Sequence, residues 1–362
     1  MNFNGMHWFD FGILIFMGMS LSLNGFIAYL WHKKFYKKLG LKSYQAIQRI
    51  HLNETPRLGG FIFLLSLISY VMYSNDNESI IFLKLILICL IPIIIIGFKE
   101  DLFHNVDPAI RLISLLSVGW LFIAKYTGPL PHLTDVPLVS KLLTLQGGAS
   151  LFYIISMTAV ANGMNLIDGV NGLCGGVCLS ILGTLLFLSY KTTDVVMLSV
   201  IISVTLILIP FIFMNYPYGK IFLGDLGAYS LGLILSMLTI ILFGRHPEIS
   251  PWVAVLFLIY PITEVVFSTL RRIINGTSIY LADTAHLHLK IFHFFRSQPG
   301  YKKIANAIVT PMLSLIWLFP LIATPWVFYK EIFVIIFICL FVCLYLMIYL
   351  FVSNLNVNSK NN

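Results

Sequence analysis

Charged residues are scarce in this chain. Asp, Glu, Lys and Arg make up only 10% of its 362 residues, while 59% are hydrophobic, and the mean hydropathy is +0.91. A soluble domain carries roughly a quarter charged residues, so the shortage excludes that class and points to a polytopic membrane protein. Cysteine is also sparse. The five (Cys89, Cys174, Cys178, Cys339, Cys343) lie in or beside apolar runs and form no CxxC pair, which excludes a disulfide framework and a zinc ribbon. Cys174 and Cys178, four apart, read as small apolar helix residues. No concentrated basic face accompanies the net charge of +8, so nucleic acid is not an expected partner. The start, MNFNGMHWFDFGIL, lacks a basic n-region and a small-residue cleavage site; it reads as the lead-in to a retained first span. No internal repeat or separate soluble domain is visible, so residues 1–362 read as one domain.

What the chain has in quantity is apolar runs. They fall at 11–31, 58–74, 80–97, 109–124, 149–166, 172–190, 194–213, 226–244, 251–270, 305–327 and 329–352, each near the ~20 residues that cross a bilayer as helix. The expected fold is an all-α integral membrane protein of about eleven transmembrane helices. Seventeen of the 23 lysines and arginines fall in the odd-numbered loops and the C-terminal tail. The positive-inside rule then places those loops in the cytoplasm and the N-terminus outside. The acids Glu54, Glu100, Asp101, Asp107, Asp168, Asp225, Glu264 and Asp283 gather on the same side. Asp10, Asp76, Glu78, Asp135, Asp194, Glu248 and Glu331 sit in short polar turns on the other.

One stretch breaks the apolar pattern most sharply. Residues 161–176 read ANGMNLIDGVNGLCGG, placing Asn162, Asn165, Asp168 and Asn171 among glycines between two apolar runs. A carboxylate at span depth is costly, so it is buried in protein and usually functional. On a helix Asn165, Asp168 and Asn171 share one face.

Four further stretches carry chemistry. Asn53–Gly60 reads NETPRLGG; Arg57, before a glycine pair at a span entrance, can meet a phosphate or anionic lipid. In GFKED the adjacent Glu100 and Asp101 repel one another and invite a divalent cation or a basic partner; a hard ion is commonly held by one or two carboxylates plus substrate phosphates. In NYPYGKIFLGDLG, Asp225 either caps the helix that starts there or presents a carboxylate to a metal. Phe222 either stacks on a flat base or serves as an interfacial aromatic. Last come Glu264, Arg271-Arg272 and Asp283-Thr284-Ala285-His286-Leu287-His288. Glu264 and Arg271, seven apart, are positioned to neutralise each other. His286 and His288 face one way if the segment is extended and suit donation to a phosphate better than zinc ligation.

Taken together, PRLGG, GFKED, NGMNLIDGVNGL, NYPYGKIFLGD and the R-R…D-x-x-H-x-H stretch resemble the polyprenyl-phosphate N-acetylhexosamine-1-phosphate transferases. This superfamily, of the glycosyltransferase family 4 type, includes WecA- and TagO-like enzymes and, more distantly, phospho-N-acetylmuramoyl-pentapeptide transferase. The resemblance covers residues 51 to about 290. It implies an enzyme of the cell (inner, cytoplasmic) membrane that joins a UDP-sugar to undecaprenyl phosphate and releases UMP, initiating a cell-surface glycan. Mg²⁺, or Mn²⁺ in its place, is the implied cofactor, and a homodimer is compatible with it. By motif, Glu100 and Asp101 take the paired-acid position and, with Asp168, the catalytic role. Asp225, with Asp168, takes the metal-binding position. Asn165, Asn171, Asn215, Phe222, Arg57, His286 and His288 take the nucleotide- and phosphate-binding positions. The chain departs from the family in having Glu-Asp for Asp-Asp, Asn171 for an acid, and Leu289 in place of a third histidine. The rival readings are a transporter or flippase, which places ionisable groups near the bilayer midplane, often in repeated halves, and a non-catalytic homologue.

Overall fold

The computed structural model describes residues 12–32, 55–75, 77–131, 145, 147–278 and 283–361. The basic loop from Lys33 to Arg49, Glu54, and most of the proline-bearing stretch 126–148 lie outside the described residues. Every described element is a helix: α1 (Ile13–His32), α2 (Gly59–Tyr73), α3 (Glu78–Cys89), α4 (Ile91–Phe103), α5 (Pro108–Lys125), α6 (Gly148–Ile167), α7 (Leu173–Lys191), α8 (Val195–Asn215), α9 (Gly224–Arg245), α10 (Trp252–Phe257), α11 (Ile259–Ile274), α12 (Leu287–Ser297), α13 (Ala305–Met312), α14 (Ser314–Trp317), α15 (Phe319–Val327) and α16 (Glu331–Asn361).

All eleven apolar runs are helical, but not all are continuous. Among the described residues eight stretches are long and apolar enough to cross a membrane by length and composition, or nine if the bent pair α3–α4 counts as one. That pair turns by 55° at Leu90, just before Pro92, whose ring removes a donor and crowds the preceding turn. The ninth run breaks at Leu258 into α10 and α11, and Pro261 supplies the same cause. The tenth run is cut into α13, α14 and α15, with Pro311, Pro320 and Pro325 along it. Proline in a span survives because neighbouring helices satisfy the freed backbone groups.

Helix α9 is the pillar. Every residue from Gly224 to Gly244 is buried, and at 1.5 Å per residue it is about 33 Å long. It is apolar all round, as a helix enclosed by others must be. Small residues let its neighbours approach to backbone contact. A Cβ at Gly60 of α2 would lie 2.2 Å from the Cα of Gly227, and one at Gly232 would lie 2.6 Å from the Cα of Ala161 on α6.

Two polar clusters sit at opposite ends of this pillar. Asp225 is in its first turn and Arg245 in its last. At the Arg245 end, Nε donates to Asp194 Oδ2 at 2.7 Å and Nη1 to Glu78 Oε1 at 2.9 Å. His246 bridges Asp194 and Glu248 at 2.9 and 3.1 Å. Three of the acids that read as isolated turn residues are therefore one network binding the starts of α3 and α8 to the end of α9.

Candidate active site

The Asp225 end is built from helix termini, whose first N–H groups lack partners inside the helix. Gly59 N and Gly60 N, opening α2, donate to the carbonyls of Phe222 and Leu223 at 2.8 and 2.9 Å. Phe222 N donates to Pro56 O at 2.8 Å, so segment 56–60 runs locked against 222–224. Gly224, with φ of +78°, turns the chain into α9. The first N–H groups of α9 are met by a side chain from another helix. Asp225 N donates to Asp101 Oδ1 at 2.8 Å and Leu226 N to Asp101 Oδ2 at 2.9 Å.

Arg57 lies among the acids this arrangement gathers. Its Nη2 donates to Asp225 Oδ1 and its Nε stands 3.5 Å from Asp101 Oδ1. Burial works against its charge, yet Asp225, Asp101 and Asp168 hold the guanidinium above its ordinary range. Arg111, on α5, donates from Nη1 to Asp225 Oδ2 at 2.8 Å and lies 3.8 Å from Glu100 Oε1. Asp168 closes α6 at its C-terminus. Burial raises its carboxyl well above the usual carboxylate value, against the pull of Arg57, and the charges of Asp225 and Asp101 push the same way.

The structure thus brings Arg57, Asp101, Asp168 and Asp225 together and adds Arg111. In the sequence Arg111 figures only as one cation among those that set orientation; its one local signal is a place in the first turn of the helix that follows GFKED. Glu100 and Asp101 diverge, as adjacent helical residues do. Glu100 Oε2 accepts from Val106 N at 2.9 Å and closes the turn between α4 and α5.

The asparagines are turn-holders in this arrangement. Asn215 Oδ1 accepts from Gly172 N at 2.6 Å, and its Nδ2 donates to Ile221 O at 2.8 Å. Asn171 Nδ2 donates to Pro217 O at 2.8 Å, its N donates to Asn306 Oδ1 at 2.7 Å, and its carbonyl accepts from Thr310 Oγ1 at 2.6 Å. Asn165 donates to the Tyr229 hydroxyl at 3.1 Å. Phe222 is half-buried on the Gly224 turn.

The histidines are covered: His286 is 3% and His288 is 1% exposed. His286 Nδ1 lies 3.0 Å from Glu264 Oε2. Glu264 does not meet Arg271, because Arg271 donates to Asp283, to Ala285 O at 2.9 Å and to the Tyr349 hydroxyl at 3.1 Å. Helical spacing put Glu264 and Arg271 on one face, but each finds a closer partner in the loop folded back over α11. A Cβ on Gly169 would lie 2.5 Å from His288 Nε2, so the histidine segment presses on the turn that carries Asp168.

Among the described residues no three His, Cys, Asp or Glu side chains converge into a ready-made metal cage. The donors that do gather are carboxylate oxygens, the chemistry of a hard ion that completes its shell with substrate phosphates. Asp225 and Asp168 fit that use, with two arginines now neutralising Asp225.

Residues 82–243 match the model of the family described as glycosyl transferase family 4. The chain is 25% identical over 304 residues to a Bacillus subtilis protein named probable undecaprenyl-phosphate N-acetylglucosaminyl 1-phosphate transferase, covering 83% of this chain and 82% of the relative. It is 26% identical over 266 residues to a Thermotoga maritima undecaprenyl-phosphate alpha-N-acetylglucosaminyl 1-phosphate transferase (73% and 75% covered). With a Clostridium botulinum phospho-N-acetylmuramoyl-pentapeptide-transferase it shares 27% identity over 282 residues, covering 74% and 82%. With the five motifs folded around one acid cluster, these matches make the chain similar to the glycosyl transferase family 4 proteins over residues 82–243.

Proposed function

We propose that this protein transfers a hexosamine-1-phosphate group from a UDP-sugar to undecaprenyl phosphate in a multi-pass membrane setting. An oxygen of the lipid phosphate attacks the sugar-bearing phosphorus. The bond from that phosphorus to the bridging oxygen breaks, UMP departs, and a polyprenyl-diphospho-sugar remains. The observation that carries the reading is the convergence of Asp101, Asp168 and Asp225 on Arg57, at helix ends where a lipid headgroup can meet a soluble nucleotide. Phosphoryl transfer needs mostly positioning and charge neutralisation, and this cluster is built for both.

The residues divide the work. Both oxygens of Asp101 already accept N–H groups of α9, so Asp101 sets where Asp225 stands. Asp168, at the end of α6 beside Arg57 and Asp225, suits orienting the lipid phosphate or taking its remaining proton. Asp225 and Asp168 would hold Mg²⁺, which when bound neutralises the diphosphate and favours UMP as leaving group. Arg57 and Arg111 are the donors nearest the diphosphate's place, and Phe222 offers a ring to the uracil. The positive-inside rule supports a cytoplasmic setting for this end. The test is an assay of purified protein against a panel of UDP-N-acetyl sugars, reading lipid product and exchange of labelled UMP. Product with one sugar supports the reading; no product and no exchange with any of them overturns it.

A further inference from the structure

Glu264 is a buried acid, 1% exposed, and its described partner at hydrogen-bond distance is a histidine instead of a cation. Its Oε2 meets His286 Nδ1 at 3.0 Å, and the Tyr345 hydroxyl is turned toward the same carboxylate. A carboxylate only accepts, so Nδ1 carries the proton, and Nε2 points toward Asp283, 3.7 Å from its Oδ2. Asp283 is itself fixed: it accepts from Ser268 Oγ at 3.0 Å and from Ala285 N at 2.9 Å, and it pairs with Arg271. The His286 ring then stacks on His288, centroids 5.7 Å apart and planes 10° apart. His288, whose imidazole burial lowers to about 4 against the opposing pull of Glu264, lies against Gly169, beside Asp168. Four buried polar atoms in this layer, Glu264 Oε1, the Tyr260 and Tyr345 hydroxyls and His288 Nδ1, have no hydrogen-bond partner among the described residues.

Isolating an acid this way is expensive. Taking a carboxylate out of water costs several kcal/mol unless a partner compensates, and a lone imidazole is a modest one. A structural tie between α11 and the loop would be cheaper with apolar side chains. What a carboxylate provides that an apolar pair does not is a fixed tautomer and ring orientation. We infer that Glu264 is a positioning residue: it locks His286 in its Nδ1–H form and, through the stacked ring of His288, holds the turn bearing Asp168 in place.

This inference rests on the proposed transfer reaction for its kinetic readout, and its spectroscopic readout does not. Full-length protein in nanodiscs is labelled with ¹⁵N-histidine, and the His286 resonance is assigned by its loss in His286→Gln. The expected wild-type signal is the Nδ1–H tautomer, giving way to a mixture in Glu264→Gln. In the UMP-exchange assay Glu264→Gln and Glu264→Ala should each lower kcat about tenfold or more. KM for the UDP-sugar should stay within about threefold, and Glu264→Asp should restore part of the rate. An unchanged tautomer in Glu264→Gln overturns the inference even if wild type proves inactive on every sugar. Loss of rate that merely tracks loss of folded protein, equal in all three variants, overturns it as well.

Discussion

Asp101 caps the helix that carries Asp225: the two N–H groups that open α9 donate to its two oxygens, at 2.8 and 2.9 Å. One acid therefore sets the position of another across 124 residues of sequence. Asp101→Asn keeps one acceptor, turns an NH₂ group toward a backbone N–H and weakens the tie to Arg57. A buried donor left unpaired costs about 1–3 kcal/mol, so thermal stability and turnover should fall together. Glu100→Gln keeps an acceptor for Val106 N and should lose less, by about tenfold in turnover. Equal losses would show that the two acids act as one unit.

Asp225→Asn separates charge from shape. The helix start is capped by Asp101, so the amide has no capping duty to preserve. The variant should remain folded yet lose most of its activity, and added Mg²⁺ should recover little of it. Near-normal turnover at ordinary Mg²⁺ would remove Asp225 from the metal role.

Orientation can be read with an impermeant thiol reagent on intact cells. A cysteine at Ser278, beyond the C-terminal end of α11, should stay unlabelled. One at Asn77, the N-cap of α3, should label. The opposite pattern would put the acid cluster on the wrong side for a soluble nucleotide.

The network at the far end of α9 should show as an acid-sensitive stability term. Burial pushes the Asp194 carboxyl up, but hydrogen bonds from Arg245, Met197 N and His246 more than offset that and leave it below its ordinary value. A depressed folded pKa stabilises above the unfolded value near 3.9, and the gain is lost as pH falls through the folded one. Asp194→Asn should lower the melting temperature at pH 7, and the gap to wild type should close below about pH 4. A gap unchanged between pH 7 and pH 3 would mean that Asp194 acts through its N-cap bond to Met197 alone.

Much of the site is legible in the sequence because polar residues stand out against apolar runs. Arg57, Asp101, Asp168 and Asp225 are conspicuous for that reason, and their meeting needs only that the helix ends share one side. Arg111 is not legible, because a cation after a span is what orientation alone would supply. Nor is the work of Asn171, whose partners Asn306 and Thr310 lie about 135 residues on and announce nothing. The helices themselves follow from apolar length. Their breaks at Leu90 and Leu258 depend on which neighbours receive the backbone groups that Pro92 and Pro261 release.

The contact between Gly60 and Gly227 bears on how this enzyme can change over generations. With a Cβ at Gly60 due 2.2 Å from the opposing Cα, even the smallest added side chain drives two main chains apart. Such a site offers no graded intermediates: a variant there either keeps the frame or loses it. Change in this chain is therefore channelled away from the contact, and α2 and α9 stay fixed against each other.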